Sequence, residues 1–374
     1  MYRILVLNFG GTSSKVSIYE DSKCRCNHTI IHENEEVGAT YPSKDQLALR
    51  KRQILEWLDQ VGLQVNDIDA YAVRLGAAFY GGDGGTFLVE GALRQQVDSL
   101  YSPDSPPIHA TRLTMALVDE LQEGLAQKRP SYATDPSSIN QLLPEAQVTG
   151  HPLFPRRVAF HPLNQRAVAR KAAAVMGKEY EDINVIVAHA GGGVSVGAHE
   201  KGRIIDVNDS SGDGNGPFSP TRCGSLPTGQ LMHLCFSGKY TEKDIYSMLK
   251  YQGGLKAHLD TDDLRNVEQM IADGNDHAKL VFDALAYQIS REIGACYATL
   301  RGKADAVVMT GGMSKSSQLV NLVASRVAGF APFFCYPGEF ENEALALGAY
   351  RVLSGREKPA VYQGECGHMQ AIQL

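Results

Sequence analysis

The chain has 374 residues, more than a single hydrophobic core usually organises, so two domains are expected. With 43% apolar residues, 21% charged residues and a net charge of −6, it lacks the basic excess of a nucleic-acid binder and the composition of a disordered chain. No run approaches 18 apolar residues, so no membrane partner is expected, and seven cysteines without a CxxC pair point to reduced thiols and a cytoplasmic location.

The opening MYRILVLNFGG reads as a first core strand: an apolar run at residues 4–7 feeds the turn NFGGTSS. Residues 15–19 then alternate polar and apolar, as a second strand would. The Pro-rich stretch YSPDSPP, 101–107, predicts a loop. Residues 164–176 carry a helical pattern closed near Gly177. A second apolar run, 185–188, feeds the turn HAGGG. The strand-like segments VSVGAHEKG and RIIDV follow, so 185–207 repeat the plan of 4–26. A long polar loop spans 206–224; apart from Arg222 it reads as no more than a mobile surface loop, since its several Asp residues lack the EF-hand spacing. Leu285, Ile289, Ile293 and Tyr297 form one helical stripe. The third apolar run, 306–309, feeds TGGMSKSS, and EALALGAYRVL at 343–353 predicts a last helix. The tail after Gly355 has no period and is expected to pack loosely. Strands alternating with helices give an α/β fold.

Neither GxxxxGK[ST] nor a helix-opening GxGxxG occurs, so the phosphate grip must be of another kind. Two turns supply one. The first packs Asn8, Gly10, Gly11, Thr12, Ser13, Ser14 and Lys15 together, giving several hydrogen-bond donors and a compensating cation. The second holds His189, Gly191, Gly192, Gly193 and Ser195. Three adjacent glycines are costly to order and suit close approach of backbone to a ligand. Arg222, the one arginine of the 206–224 loop, is a candidate cation for a transferring phosphoryl group. Taken alone, Thr134, Asp135 and Pro136 read as an Asx-Pro turn, and His161 reads as a structural histidine. Glu339, Glu341 and Glu343 read as carboxylates at a helix N-terminus.

Several long segments in register resemble the acetate/butyrate kinase family, with butyrate kinases the closer pattern. They are ILVLNFGGTSSK, VAHAGGGVSVGAHEKGRIIDVN, GPFSPTRCGSLP, LCFSGKYT, VVMTGGMSK and PGEFENEALALGAYRVL, and they run from residue 3 to about 360. The resemblance implies the duplicated actin-like fold shared by sugar kinases, heat-shock chaperones and actin, with a nucleotide cleft between two similar domains. One domain would comprise 1–140 plus about 344–374 and hold the carboxylate site. The other would comprise 141–343 and hold the adenosine site. The implied activity is reversible phosphoryl transfer from ATP to a short-chain fatty acid, giving an acyl phosphate and ADP with Mg²⁺ as cofactor. A homodimer or larger homo-oligomer is implied as well.

Carried over by position, Asn8, Asp135 and Glu343 would surround Mg²⁺. Arg222 and His161 would stabilise the transferring group, and Gly191, Gly192, Gly193 and Lys15 would contact phosphates. Asp263, Leu264, Arg265, Gly311, Gly312 and Met313 would flank the adenosine.

Two segments depart from the family pattern. Gly11 stands where a serine is usual. In the segment 73–78, an ungapped alignment to butyrate kinases sets Leu75 at the family's substrate arginine, whereas the acetate kinase pattern favours Arg74. Arg74 is assigned the carboxylate role here, with a bulge expected to turn it toward the site. Likewise Pro107, Ile108, His109 and Ala110 replace a GEHA-like stretch. Rival readings are an acetate or propionate kinase of the same fold, and a nucleotide-binding paralogue with altered or lost transfer.

Overall fold

A computed structural model describes residues 1–362 except 12, 34–36, 38–40, 77–81, 106, 108–109, 138, 155, 157–158 and 211–214. Thr12, Ala77, Ala78 and His109 therefore lie outside the described residues. The chain forms two compact units: Met1–Asn140 with Phe340–Leu374, and Gln141–Glu339.

Each unit is built on one mixed sheet. The first unit's strands are β1 (Arg3–Phe9), β2 (Ser13–Glu20), β3 (Lys23–Ile31), β4 (Ala70–Val73), β5 (Thr86–Leu88) and β6 (Ser131–Thr134), in the spatial order β3-β2-β1-β4-β6-β5. The second unit has β7 (Asn184–Ala190), β8 (Val194–Glu200), β9 (Arg203–Val207), β10 (Ala306–Gly311) and β11 (Phe333–Pro337), in the order β9-β8-β7-β10-β11. An antiparallel meander followed by strands parallel to its first member occurs in both. Even the bulges repeat: register slips between Ile18 and Tyr19 in one hairpin and between Ala198 and His199 in the other.

Four helices position the side chains that matter: α1 (Ser43–Gln60), α2 (Pro162–Val175), α3 (Asp276–Thr299) and α4 (Glu341–Leu353). Strand period decides which side chain meets which helix. On β1, Leu5, Leu7 and Phe9 enter the first core with Tyr71, Val73 and Leu75. Ile4, Val6 and Asn8 take the opposite face, where α4 packs on β1, β4 and β6. That helix approaches closely because its buried stripe is Ala344, Leu345, Gly348 and Ala349; a Cβ on Gly348 would run into Thr134. In the second unit, Val194, Val196 and Ala198 face a core with Leu285, Ile289 and Ile293 of α3, while α2 covers the other face of β7 and β10.

Two expectations change. The start of the tail is ordered against the sheet: the Ala360 N–H donates to the Thr86 carbonyl at 2.8 Å, so the tail covers the unpaired edge of β5. The 206–224 loop is tied down where it is described. Ser210 N–H bonds the Ala159 carbonyl at 2.9 Å and Cys223 N–H bonds the Leu249 carbonyl at 3.0 Å.

Candidate functional site

The first unit gathers its polar side chains at the C-terminal ends of β1, β4 and β6, the edge where α/β sheets bind ligands. Asn8 is buried at the end of β1. Its Nδ2 donates to Glu341 Oε2 and to Asn342 Oδ1, both at 3.0 Å. Arg74 Nη1 donates to the same Glu341 oxygen at 2.7 Å and to Asn8 Oδ1 at 3.2 Å. Lys15 lies opposite Asn8 in the β1–β2 ladder and so shares its face. Asp135 follows β6 in a left-handed conformation, φ 41°, uncommon outside glycine. Gly85 clamps it, donating its N–H to Asp135 Oδ1 at 2.8 Å and accepting the Asp135 N–H at 3.0 Å.

This geometry answers the register question. Leu75 is 4% exposed and belongs to the core, whereas Arg74 falls on the Asn8 face by simple alternation. The expected bulge is not used: β1 and β4 pair without a slip, and the Arg74 N–H continues the ladder to the Leu7 carbonyl at 3.1 Å. The helix carboxylate bonded to Asn8 is Glu341, not Glu343. Two residues along a helix is about 200° of rotation, and only Glu341 heads the buried stripe Ala344, Leu345 and Gly348. That pattern was in the sequence and would have singled out Glu341.

Arg50 was not anticipated. It sits on the buried stripe of α1 with Leu47, Ile54 and Trp57, fully enclosed beneath the first glycine turn. Its guanidinium donates to Ser14 Oγ at 2.5 Å, to the Gly10 carbonyl at 3.2 Å and to the Gly11 carbonyl at 3.4 Å, and it lies 5.0 Å from the Phe9 ring centroid. Burial pushes its pKa down to about 10, so it remains charged at neutral pH. No carboxylate partners it among the described residues, leaving one uncompensated positive charge under the turn. Ser14 thus serves this inner network, together with His32 at 2.9 Å, while Gly10 N–H closes the turn on the Ser13 carbonyl at 2.8 Å.

The second unit assembles a cationic and glycine-lined group. His189 is buried at the end of β7. Its ring stacks on His161 with centroids 3.9 Å apart and planes 5° from parallel. Asn164 of α2 bonds His189 Nδ1 at 2.9 Å. The Gly193 backbone is covered by the Arg222 side chain, which a Cβ there would strike, and Arg222 Nη1 donates to the Ser210 carbonyl. Ser219 Oγ donates to the Gly192 carbonyl at 2.9 Å. Burial lowers the Arg222 pKa, countered in part by Asp209. Hence Arg222, His161, His189 and the Gly191, Gly192 and Gly193 turn lie together.

The proposed adenosine residues divide. Asp263 caps the helix Leu264–Ala272, accepting the Arg265 N–H at 2.9 Å, and it pairs with the largely exposed Arg265 side chain at 2.6 Å. Leu264 and Met313 are core side chains, so only their backbone is on offer. Gly311 takes φ 94° with its would-be Cβ inside the Ala190 backbone, so a tight turn requires glycine there; Gly312 is open. Ser316, beyond that turn, donates to Glu268 of the capped helix at 2.5 Å, which joins the two segments.

No group of three His, Cys, Asp or Glu suited to a metal occurs among the described residues. The oxygens of Asn8 and Glu341 nevertheless already converge on one cation, the Arg74 guanidinium. Hard oxygens with one or two carboxylates suit Mg²⁺, which keeps several waters and is usually shared with substrate phosphates.

His199 offers a pH test. It is fully buried behind this site, and lost solvation, aided by the Arg166 charge, pushes its pKa down to about 3. An unfolded histidine takes a proton near pH 6.5, and the folded one does so only near 3. Stability should therefore fall as pH drops below about 6.5, by up to about 1.4 kcal/mol per pH unit from this residue. Denaturant midpoints at pH 7 and 5 check this. His199→Gln should flatten the decline by about 2 kcal/mol over that range, and an unchanged slope would remove His199 as its source.

A sequence model of the Acetokinase family matches residues 139–333, more than half of the chain. The chain also resembles solved structures of that kind along nearly its full length. The acetate kinase of Porphyromonas gingivalis matches at 18% identity and a TM-score of 0.76, covering 95% of this chain and 100% of that one. A propionate kinase from Francisella tularensis subsp. tularensis matches at 19% and 0.71, covering 93% and 99%. The acetate kinase of Entamoeba histolytica matches at 14% and 0.72, covering 92% and 98%. At these identities the likeness establishes the fold, the duplicated α/β fold of actin-like ATPases.

Proposed function

The chain belongs to the acetokinase family, and on that premise we propose that it reversibly transfers the γ-phosphoryl group of ATP to a short-chain fatty acid, butyrate in preference. The observation that carries the carboxylate half is Arg74. Only its Nη1 is engaged among the described residues, so Nη2 and Nε form a half-exposed fork beside Asn8 and Glu341. Such a fork matches a carboxylate with two parallel hydrogen bonds. The preference for butyrate is supported by the motifs GPFSPTRCGSLP and LCFSGKYT. Acetate or propionate is the second reading, supported by the solved structures the chain resembles.

In the proposed step a carboxylate oxygen attacks the γ-phosphorus, the new O–P bond replaces the bond to the β-phosphate oxygen, and ADP leaves with that electron pair. A carboxylate is ionised at neutral pH, so no general base is required. The chain's task is to reduce repulsion between anions and to hold the line of attack. Arg222 and His161 are assigned to the equatorial phosphoryl oxygens, Lys15 and the two glycine turns to phosphates, and Gly311, Gly312 and the Asp263, Leu264 and Arg265 cap to the adenosine. Asn8, Asp135 and Glu341 would hold Mg²⁺, which when bound offsets phosphate charge. The resemblance implies Glu343 at this position; Glu341 is proposed instead because it is the carboxylate bonded to Asn8. A cytoplasmic homodimer or larger homo-oligomer completes the reading.

Initial rates with acids of two to five carbons test the substrate. The highest kcat/KM should fall at four carbons, and a maximum at acetate or propionate would replace butyrate by the second reading. Arg74→Ala should raise the carboxylate KM about 10- to 100-fold and lower kcat, with the ATP KM nearly unchanged. A variant that shifts the ATP KM alone would take Arg74 out of carboxylate binding.

A further inference from the structure

Beneath His161 runs an unbroken line of buried hydrogen bonds, and its direction can be worked out from one fixed acceptor. Ser195, Gly197 and His199 follow one another on the α2 face of β8, since Val194, Val196 and Ala198 take the core face. Gln165 of α2 reaches into this row. Its Nε2 lies 3.2 Å from the Ser195 carbonyl and 2.9 Å from Ser195 Oγ. A backbone carbonyl only accepts, so the NH₂ end of Gln165 is on that side and Oε1 faces the other way. Oε1 meets His199 Nε2 at 3.0 Å, and because an amide oxygen only accepts, His199 must carry its hydrogen on Nε2. His199 is sealed from solvent and neutral at physiological pH, so its Nδ1 is a lone pair that receives the Tyr180 hydroxyl at 2.8 Å. Glycine at 197 makes room for this: a Cβ there would lie 2.5 Å from Gln165 Oε1.

The other end follows. Ser195 is fully buried and accepts from Gln165, so its own hydrogen needs an acceptor. Its remaining partner among the described residues is His161 Nδ1 at 2.9 Å. Were Nδ1 to carry a hydrogen, the buried serine hydroxyl would have no acceptor among the described residues, at a substantial cost.

We propose that Gln165 and Ser195 are positioning residues that fix His161 as the tautomer protonated on Nε2, through a line running from Tyr180 through His199 and Gln165 to Ser195. His161 then presents a hydrogen-bond donor at Nε2 and never a lone pair. A negatively charged oxygen of a phosphoryl group is the ligand chemistry such a donor fits, so the inference rests on the phosphoryl-transfer reading for its consequence but not for its geometry. His161 is itself held in place: Pro162 opens α2 directly after it, and its ring is stacked on His189.

The test is a nitrogen spectrum of the full-length protein labelled with ¹⁵N-histidine, with the His161 signals assigned by their loss in His161→Gln. The expected result at pH 7.5 is an unprotonated, hydrogen-bonded Nδ1 and a protonated Nε2. A proton on Nδ1 would overturn the proposed direction in the wild-type protein, whether or not any variant folds. In Ser195→Ala the Nδ1 signal should move to the position of a free imidazole nitrogen, and kcat should fall about tenfold with the ATP KM within about twofold. Tyr180→Phe, missing one oxygen at the far end, should leave the His161 tautomer in place and shift the His199 Nδ1 signal. If Ser195→Ala loses stability but leaves the His161 signal unmoved, the serine does not hold the tautomer. If the wild-type protein shows the expected tautomer yet makes no acyl phosphate, the hydrogen-bond line stands and the functional reading falls.

Discussion

Arg222→Ala is expected to lower kcat by about three orders of magnitude while changing the ATP KM little, the pattern of a cation that acts on charge developing in transfer. The reason lies in what Arg222 touches. Its Nη1 is spent on the Ser210 carbonyl and the guanidinium itself lies over Gly193, so it is anchored on the glycine turn with the rest of its donors unengaged among the described residues. Lysine at 222 offers a point charge without the planar fork and should recover only part of the loss. Arg52→Ala is the matched control. That side chain is largely exposed, pairs with Glu56 at 3.9 Å and has no assigned role, so a loss of less than about threefold in kcat is expected, in keeping with the small worth of surface pairs. Steady-state kinetics on the three variants decide the matter. An Arg222→Ala enzyme within tenfold of wild type would remove the arginine from the transfer step.

Glu341→Gln carries the second large effect, a fall of about 100-fold in kcat/KM for the carboxylate. The amide keeps the shape but removes the charge on which Asn8 Nδ2 and Arg74 Nη1 both converge. The Glu341 oxygen that holds them lies in a buried side chain, and removing its charge leaves the half-exposed Arg74 guanidinium poorly compensated. Glu343→Gln should stay within about threefold, because position 343 does not head the buried stripe of α4. If the two substitutions behave alike, or Glu343→Gln is the more damaging, Glu341 has been wrongly chosen.

The contrast between these glutamates marks where the sequence stops being legible. Strand plan and duplication could be read directly, because apolar runs ending in NFGG and HAGGG are local signals and the strand period is two. Asn8, Lys15 and the glycine turns came with them. Glu341 meets Asn8 across 333 positions of chain, a closure no local pattern announces, although its place at the head of the Ala344, Leu345 and Gly348 stripe was a usable hint. Arg74 and Leu75 could be separated only by knowing which face of β4 is core. Arg50 and Gln165 were invisible because a polar residue on an apolar stripe reads as a flaw in the pattern, when each is in fact the buried support of a glycine turn or of His161. The 206–224 loop misled in the opposite sense: its polarity suggested mobility, yet its described residues are pinned by Asn208, Ser210, Ser219 and Arg222.

The central claim is that phosphate moves from ATP onto a fatty-acid oxygen, and hydroxylamine trapping measures that directly. Purified protein with ATP, Mg²⁺ and butyrate should yield butyryl hydroxamate in step with ADP, one for one, and should yield almost none after Arg222→Ala. ADP release without hydroxamate would mean that water is the acceptor. No ATP turnover with any acid of two to five carbons, in a protein that still binds ATP, would contradict the account and leave a nucleotide-binding protein that has lost transfer.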